Sequence, residues 1–297
     1  MAMNWKVFKT RTLTAIVFAA VMLTGLLWNR WFFFALFSLV HFGCWFEYAK
    51  LLGAIHTGKK KIPLPAVAGL SLAGYSVMWL ALHLPIPYQL SGLAVVLMVA
   101  GVLVLPAIIY LVTISKQKET ALPLLAGLLY ISLPLAALTE LRNTAFCTGN
   151  EGIVSDFGRF LPCVIIFSIW INDTMAYVTG SFIGKTPFSK ISPKKTWEGT
   201  IGGIVLCVVT MHFLSGVIFD HESFNTNMVW VVALVAAITG TVGDLFESWL
   251  KRRAGVKDSG SFMPGHGGFL DRFDSLLFAA LFVWILVKTL PLNVQCP

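Results

Sequence analysis

Residues 200–219 read Thr-Ile-Gly-Gly-Ile-Val-Leu-Cys-Val-Val-Thr-Met-His-Phe-Leu-Ser-Gly-Val-Ile-Phe, with no Asp, Glu, Lys or Arg among them. A hydrocarbon core roughly 30 Å thick takes about 20 apolar residues to cross as a helix. Inside it every backbone amide must find its partner within the helix itself. The stretch therefore reads as a membrane-spanning helix. Working outward from one polar break to the next gives similar runs near 12–28, 32–49, 64–82, 92–114, 122–139, 161–182, 228–248 and 274–293. The expected fold is an all-α polytopic membrane protein of about nine transmembrane helices.

Composition leads to the same solvent. Of 297 residues 57% are hydrophobic and 12% charged, and the mean hydropathy is +0.79, too little polar material to cover a water-soluble domain of this size. No soluble domain, low-complexity linker or internal repeat stands out. The first run lies behind Lys6, Lys9 and Arg11. It is long, lacks a small-x-small cleavage site and is followed at once by another span, so it reads as a retained helix instead of a signal peptide. The absence of a transit peptide suits a bacterial cytoplasmic membrane. Cys44, Cys147, Cys163, Cys207 and Cys296 form no C-x-x-C pair and argue for neither a disulfide framework nor a zinc site.

Cytoplasmic segments carry the excess of basic residues. With the N-terminus in the cytoplasm and the C-terminus opposite, all but Arg30, Arg142, Arg159 and Lys288 of the 22 Lys and Arg residues fall on the cytoplasmic side. The net charge of +8 is thereby assigned to the membrane surface and phosphate-bearing substrates, and no nucleic-acid partner is expected.

The chain divides by character near residue 160. Residues 1–160, with about five spans, read as membrane scaffold. Residues 161–297, with about four spans and two cytoplasmic loops, gather the polar chemistry. Charge within an apolar run costs roughly 2.5–3.5 kcal/mol at a helix centre and so marks a site; Asp173 in the sixth run is such a residue, with the polar Asn172 beside it. The loop after that run holds Lys185, Lys190, Ser192, Lys194, Lys195 and Thr196 just before a helix start, where cations and amides suit phosphate. Gly180 to Thr186 has three residues between its glycines where a P-loop has four, and follows a membrane helix instead of a strand, so a P-loop is rejected. Asp244 and Glu247 share a helix face at i, i+3 and need a cation to coexist as charges. Lys251, Arg252, Arg253, Lys257 and Asp258 form a basic stretch at the membrane surface. In Pro264-Gly-His266-Gly267-Gly268-Phe-Leu-Asp271-Arg272-Phe-Asp274 glycines allow close approach to an anion, Asp271 and Asp274 share a face, and His266 reads as a phosphate or loop contact.

The run from Ser248 to Asp274, with Lys251-Arg252, Lys257-Asp258, Pro264, His266-Gly267-Gly268, Asp271-Arg272 and Asp274, resembles the signature of the phosphatidate cytidylyltransferases, also called CDP-diacylglycerol synthases. Asp173-Thr174-x-Ala176-Tyr177 and Ser192-Pro-Lys194-Lys195-Thr196-x-Glu198-Gly199 resemble further motifs of that family. Met263 departs from the usual Leu, Ile or Phe. The resemblance implies that CTP and phosphatidic acid are joined to give CDP-diacylglycerol and pyrophosphate with a divalent metal, in a homodimer among membrane lipids.

The expected catalytic residues are Asp173, Asp244, Asp271, Lys257 and His266. Ser192, Lys194, Lys195, Thr196, Lys251, Arg252, Gly267, Gly268 and Arg272 are expected to bind substrate. Asp244 and Asp271 are expected to hold Mg²⁺, with Asp173 and Asp274 beside them and carboxylates enough for a second cation. Two rival readings are a CTP-dependent lipid kinase and an ion-coupled transporter. The charges collect at one membrane face and not at the midplane a transporter would use.

Overall fold

A computed structural model describes residues 5–56, 62–83, 118–144, 146–148, 153–155, 157–218, 226–262 and 267–289. The run at 92–114 and His266 lie outside them.

The helices are α1 (Trp5–Leu27), α2 (Arg30–His56), α3 (Leu64–His83), α4 (Lys118–Gly127), α5 (Leu133–Asn143), α6 (Phe157–Ile183), α7 (Trp197–Ile218), α8 (Thr226–Arg253) and α9 (Leu270–Thr289). A π-helical turn, Leu128–Ser132, joins α4 to α5; it lies between Pro123 and Pro134, each of which removes one N–H from the helical ladder. Two three-residue strands, β1 (Phe146–Thr148) and β2 (Ile153–Ser155), pair antiparallel with Cys147 opposite Val154. Every expected run that falls within the described residues coincides with helix. Among the described residues six helical stretches are long and apolar enough to cross a membrane: 30–56, 64–83, 122–143, 158–183, 197–216 and 228–253.

Two compact units emerge, each from separate parts of the chain. One comprises the described residues of 1–80, 96–136 and 249–273; the other those of 81–95, 137–248 and 274–297.

In the first unit α2 is the central element, burying Phe33, Phe37 and Trp45. Several of its polar groups find partners nearby, as apolar surroundings favour. Trp45 Nε1 donates to Ser132 Oγ at 2.9 Å, His41 Nε2 lies 2.9 Å from the same oxygen, and the Tyr48 hydroxyl donates to the Pro123 carbonyl at 2.7 Å.

In the second unit α6 and α7 meet through small residues. A Cβ added at Gly203 would stand 2.7 Å from that of Ala176, and one at Gly199 would stand 2.9 Å from the Gly180 Cα. Such closeness is how membrane helices gain dispersion energy where lipid offers no hydrophobic drive. At the far end of α9, Lys288 donates to Glu140 Oε1 at 2.7 Å and Trp284 Nε1 to Oε2 at 2.9 Å, so a buried ion pair ties α5 to α9.

Candidate functional site

The second unit holds a cavity of about 440 Å³, within the range usual for small ligands. From α6 it takes Asn172, Asp173, Tyr177 and Gly180, from the following loop Ser192, Lys194, Lys195 and Thr196, and from α8 Thr241 and Asp244.

That loop is folded by its own hydrogen bonds. Phe188 N donates to the Lys195 carbonyl at 2.8 Å and Trp197 N to that of Thr186 at 3.0 Å, which aligns the two arms of the loop. Thr196 Oγ1 accepts from Gly199 N at 3.2 Å, an N-cap for α7. Glu198, on the first turn of α7, reaches back to accept from Lys185 N and Thr186 N at 3.1 Å. The lysines are therefore presented from a fixed frame.

Lys195 forms an ion pair with Asp244 across the cavity. Asn172 is buried, its Nδ2 donating to Thr241 Oγ1 at 3.4 Å, and Asp173 beside it is exposed to the cavity. Asp244 also belongs to a carboxylate trio with Glu247 and Asp274, one ligand oxygen from each lying within 4.8 Å of the others. Glu247 is 0% and Asp274 8% exposed. Three carboxylates held this close, two of them buried, repel as charges, and a shared cation or an added proton relieves that repulsion. An all-oxygen donor set suits Mg²⁺, Ca²⁺ or Mn²⁺, so these residues fit a hard divalent ion.

A second cluster lies in the first unit. Helix α8 ends in a C-terminal turn in which Gly255 takes φ +70°, Gly255 N donates to the Arg252 carbonyl and Val256 N to that of Lys251. Asp271, in the first turn of α9, accepts from Lys251 Nζ at 2.7 Å through Oδ1, and from Ser259 N and Gly268 N at 2.8 Å through Oδ2. Burial pushes its carboxyl upward. The Gly268 amide, Lys251 and the Ser259 amide together outweigh that and hold it below the usual carboxylate range. Gly267 has φ +84°, and a Cβ there would meet Asp271 Oδ2 at 2.5 Å.

Of the expected site residues, Asp173, Ser192, Lys194, Lys195, Thr196 and Asp244 line the cavity, and Asp274 joins Asp244 in the trio. Lys251, Gly267, Gly268 and Asp271 meet in the first-unit cluster. Arg252 Nη1 donates to the Val256 carbonyl at 3.2 Å, and Lys257 and Arg272 are exposed. Sequence reasoning passed over Ser259 and Glu47. Glu47 is a charge within the run 32–49, and the rule that singled out Asp173 would have found it.

Residues 9–290 match the cytidylyltransferase family. A Brucella abortus protein named phosphatidate cytidylyltransferase is 31% identical over 93% of this chain and 92% of its own length. Helicobacter pylori and Thermotoga maritima proteins of the same name are 40% identical over 136 residues and 43% identical over 142 residues. Those alignments take in 46% of this chain and span about half of each relative, 50% and 53%.

Proposed function

This chain belongs to the cytidylyltransferase family, and we propose that it transfers CMP from CTP to phosphatidic acid, releasing pyrophosphate and forming CDP-diacylglycerol. The observation that carries the reading is the cavity in which Lys194, Lys195, Ser192 and Thr196 face Asp173 and Asp244: cations and hydroxyls for a triphosphate, carboxylates for the cation that accompanies it. The name of the Brucella relative, matched over nearly its whole length, supports the substrates.

In the proposed reaction a phosphatidate oxygen attacks the α-phosphorus of CTP. One P–O bond forms as the bond to pyrophosphate breaks, and the second ionisation of a phosphomonoester near pH 6 leaves the attacking oxygen already deprotonated. No protein base is needed. Charge neutralisation and alignment therefore supply the rate. Lys194 and Lys195 hold phosphate oxygens, with Ser192 and Thr196 as neutral donors. Lys251, Arg252, Lys257 and Arg272 serve as phosphate contacts, as do His266 and the Gly267 amide, and Gly268 lets the chain approach closely while its own amide is donated to Asp271. Asp244, Glu247 and Asp274 would hold Mg²⁺, with Asp173 on the cavity wall as a further carboxylate available to a cation; Asp271, whose oxygens accept from Lys251, Ser259 N and Gly268 N, would serve in the first-unit cluster. Such an ion, when bound, neutralises the triphosphate and polarises its reacting phosphorus. Lys195 then exchanges Asp244 for substrate phosphate.

We further propose nine spans with the N-terminus in the cytoplasm and the C-terminus opposite, a bacterial inner-membrane location, a cytoplasmic active site reached laterally by lipid, a homodimer, and a division of labour between scaffold residues 1–160 and catalytic residues 161–297. That the ends of the fifth and ninth runs share one side is supported by Lys288 meeting Glu140.

The test is pyrophosphate release by detergent-purified protein given CTP, Mg²⁺ and phosphatidic acid, each omitted in turn, with the lipid product weighed by mass spectrometry. Release that needs all three, with CDP-diacylglycerol formed, is expected. CDP release with an added lipid alcohol would replace this reading with a lipid kinase, and folded protein without turnover would reopen the transporter.

A further inference from the structure

Glu47 stands on α2, in the half of the sequence that reads as scaffold, and is 5% exposed. A carboxylate so buried is costly unless its lone pairs are filled. Three donors fill them, all from one short stretch of chain more than 200 residues away. Ser259 Oγ lies 2.7 Å from Oε2, Phe269 N donates to Oε1 at 3.0 Å, and Leu270 N to Oε2 at 2.9 Å. The last two are orphan amides at the start of α9, where an acceptor with negative charge is most favourable. Gly260 and Gly268 wrap the same carboxylate so closely that a Cβ on either would run into it.

We propose that Glu47 is a positioning residue for the reaction, acting through Ser259 on Asp271. The inference rests on the CMP-transfer reading above. Ser259 Oγ is 2.7 Å from Glu47 and 2.9 Å from Asp271 Oδ2, and its one proton serves one of them. Asp271 Oδ2 already accepts two backbone amides, so the proton goes to Glu47. That leaves the Ser259 lone pairs facing Asp271 N at 3.3 Å. Glu47 thereby sets the hydroxyl's direction, so that Ser259 Oγ accepts from Asp271 N, and through Phe269 N and Leu270 N it fixes the first turn of α9, from which Asp271 reaches Lys251. A helix of the scaffold half thus completes the signature segment.

Two variants of the full chain test this, Glu47→Gln and Glu47→Ala. The amide of Gln keeps the shape but turns a donor toward Ser259 or a backbone N–H, so even the isosteric change breaks the clasp. Hydrogen exchange of peptides covering 267–273, together with kcat and KM for CTP, forms the readout. Glu47→Gln is expected to speed exchange at Phe269 and Leu270 about tenfold or more, leave the other helices unchanged, and lower kcat about 10- to 100-fold, the usual range for residues that orient functional groups, with a smaller change in KM. Unchanged exchange at these amides overturns the clasp. Faster local exchange with kcat within about twofold of the parent, or faster exchange throughout the chain in both variants, makes Glu47 a packing residue and overturns the positioning role. Failure of the CMP-transfer reading is told apart by the parent protein, which would then release no pyrophosphate whatever residue 47 is.

Discussion

At Asp244 a cavity wall, an ion pair and a carboxylate trio share one side chain, so its charge can be tested apart from its shape. Asp244→Asn keeps the volume and removes the negative charge that Lys195 and a cation require. Pyrophosphate release should fall by about 100-fold or more, the scale on which a single electrostatic partner of a transition state counts, with the melting temperature in detergent little changed. Retention of rate would move the chemistry elsewhere. Asp271 makes a different prediction, because its donors act on the folded state. Its carboxyl is depressed below the ordinary 3.8, so the stabilisation it gives is fully present above that value and lost as pH falls through the lower folded one. Asp271→Asn should abolish turnover and cost about 1.5–3 kcal/mol at neutral pH, the worth of hydrogen bonds to a charge. The gap in melting temperature between parent and variant should hold steady from pH 7 down to about 4.5 and close below about 3.8. A gap that widened on acidification would refute the assignment. Both aspartates were legible as residues, since charge beside an apolar run announces itself. Their separate partners were not legible, because the pairing of Asp271 with Lys251 and of Asp244 with Lys195 is made by tertiary packing.

Helices are easier to read than their ends. The expected second run stops at 49 while α2 continues to His56, and the eighth stops at 248 while α8 continues to Arg253, because a helix leaving the membrane keeps its hydrogen-bond ladder after its side chains turn polar. Gly255 in the left-handed conformation marks the true end of α8 better than hydropathy does. The β1 and β2 pair lies between the expected fifth and sixth runs, and three-residue strands carry no periodicity to detect. What packs an element against its neighbour is sometimes a single contact. Glu140 on α5 is 2% exposed and answered by Lys288 and Trp284 of α9. Removing one partner leaves a buried charge, so Lys288→Met should destabilise the protein by about 3–5 kcal/mol. Adding Glu140→Gln to it should restore most of that. A double-mutant cycle on thermal unfolding in detergent checks both statements, and additive losses would show that the pair does not hold α5 to α9.

For the whole molecule the open quantity is how many times the chain crosses the bilayer, and the loop charges turn that into a test. Residues 92–114 fall outside the described structure, yet they decide the sidedness of everything after them. With nine spans, Lys50 near the C-terminal end of α2 and Lys190 in the cavity loop face the cytoplasm, while Thr148 on β1 faces the other side. Were 92–114 not to cross, Thr148 would share a side with Lys50, and Lys190 would lie opposite both. That arrangement would carry Lys185, Lys190, Lys194 and Lys195 across the membrane against the bias that keeps cations in the cytoplasm. It would also part the cavity from the compartment that supplies nucleotide. Single-cysteine variants at positions 50, 148 and 190, in a chain with its five native cysteines replaced, should therefore react with a membrane-impermeant maleimide in two classes. Position 148 should label on intact cells, and positions 50 and 190 only after permeabilisation. Labelling of 190 alone on intact cells would remove the fourth span and with it the proposed cytoplasmic site. Labelling of 50 and 190 together, with 148 protected, would keep nine spans and invert the protein.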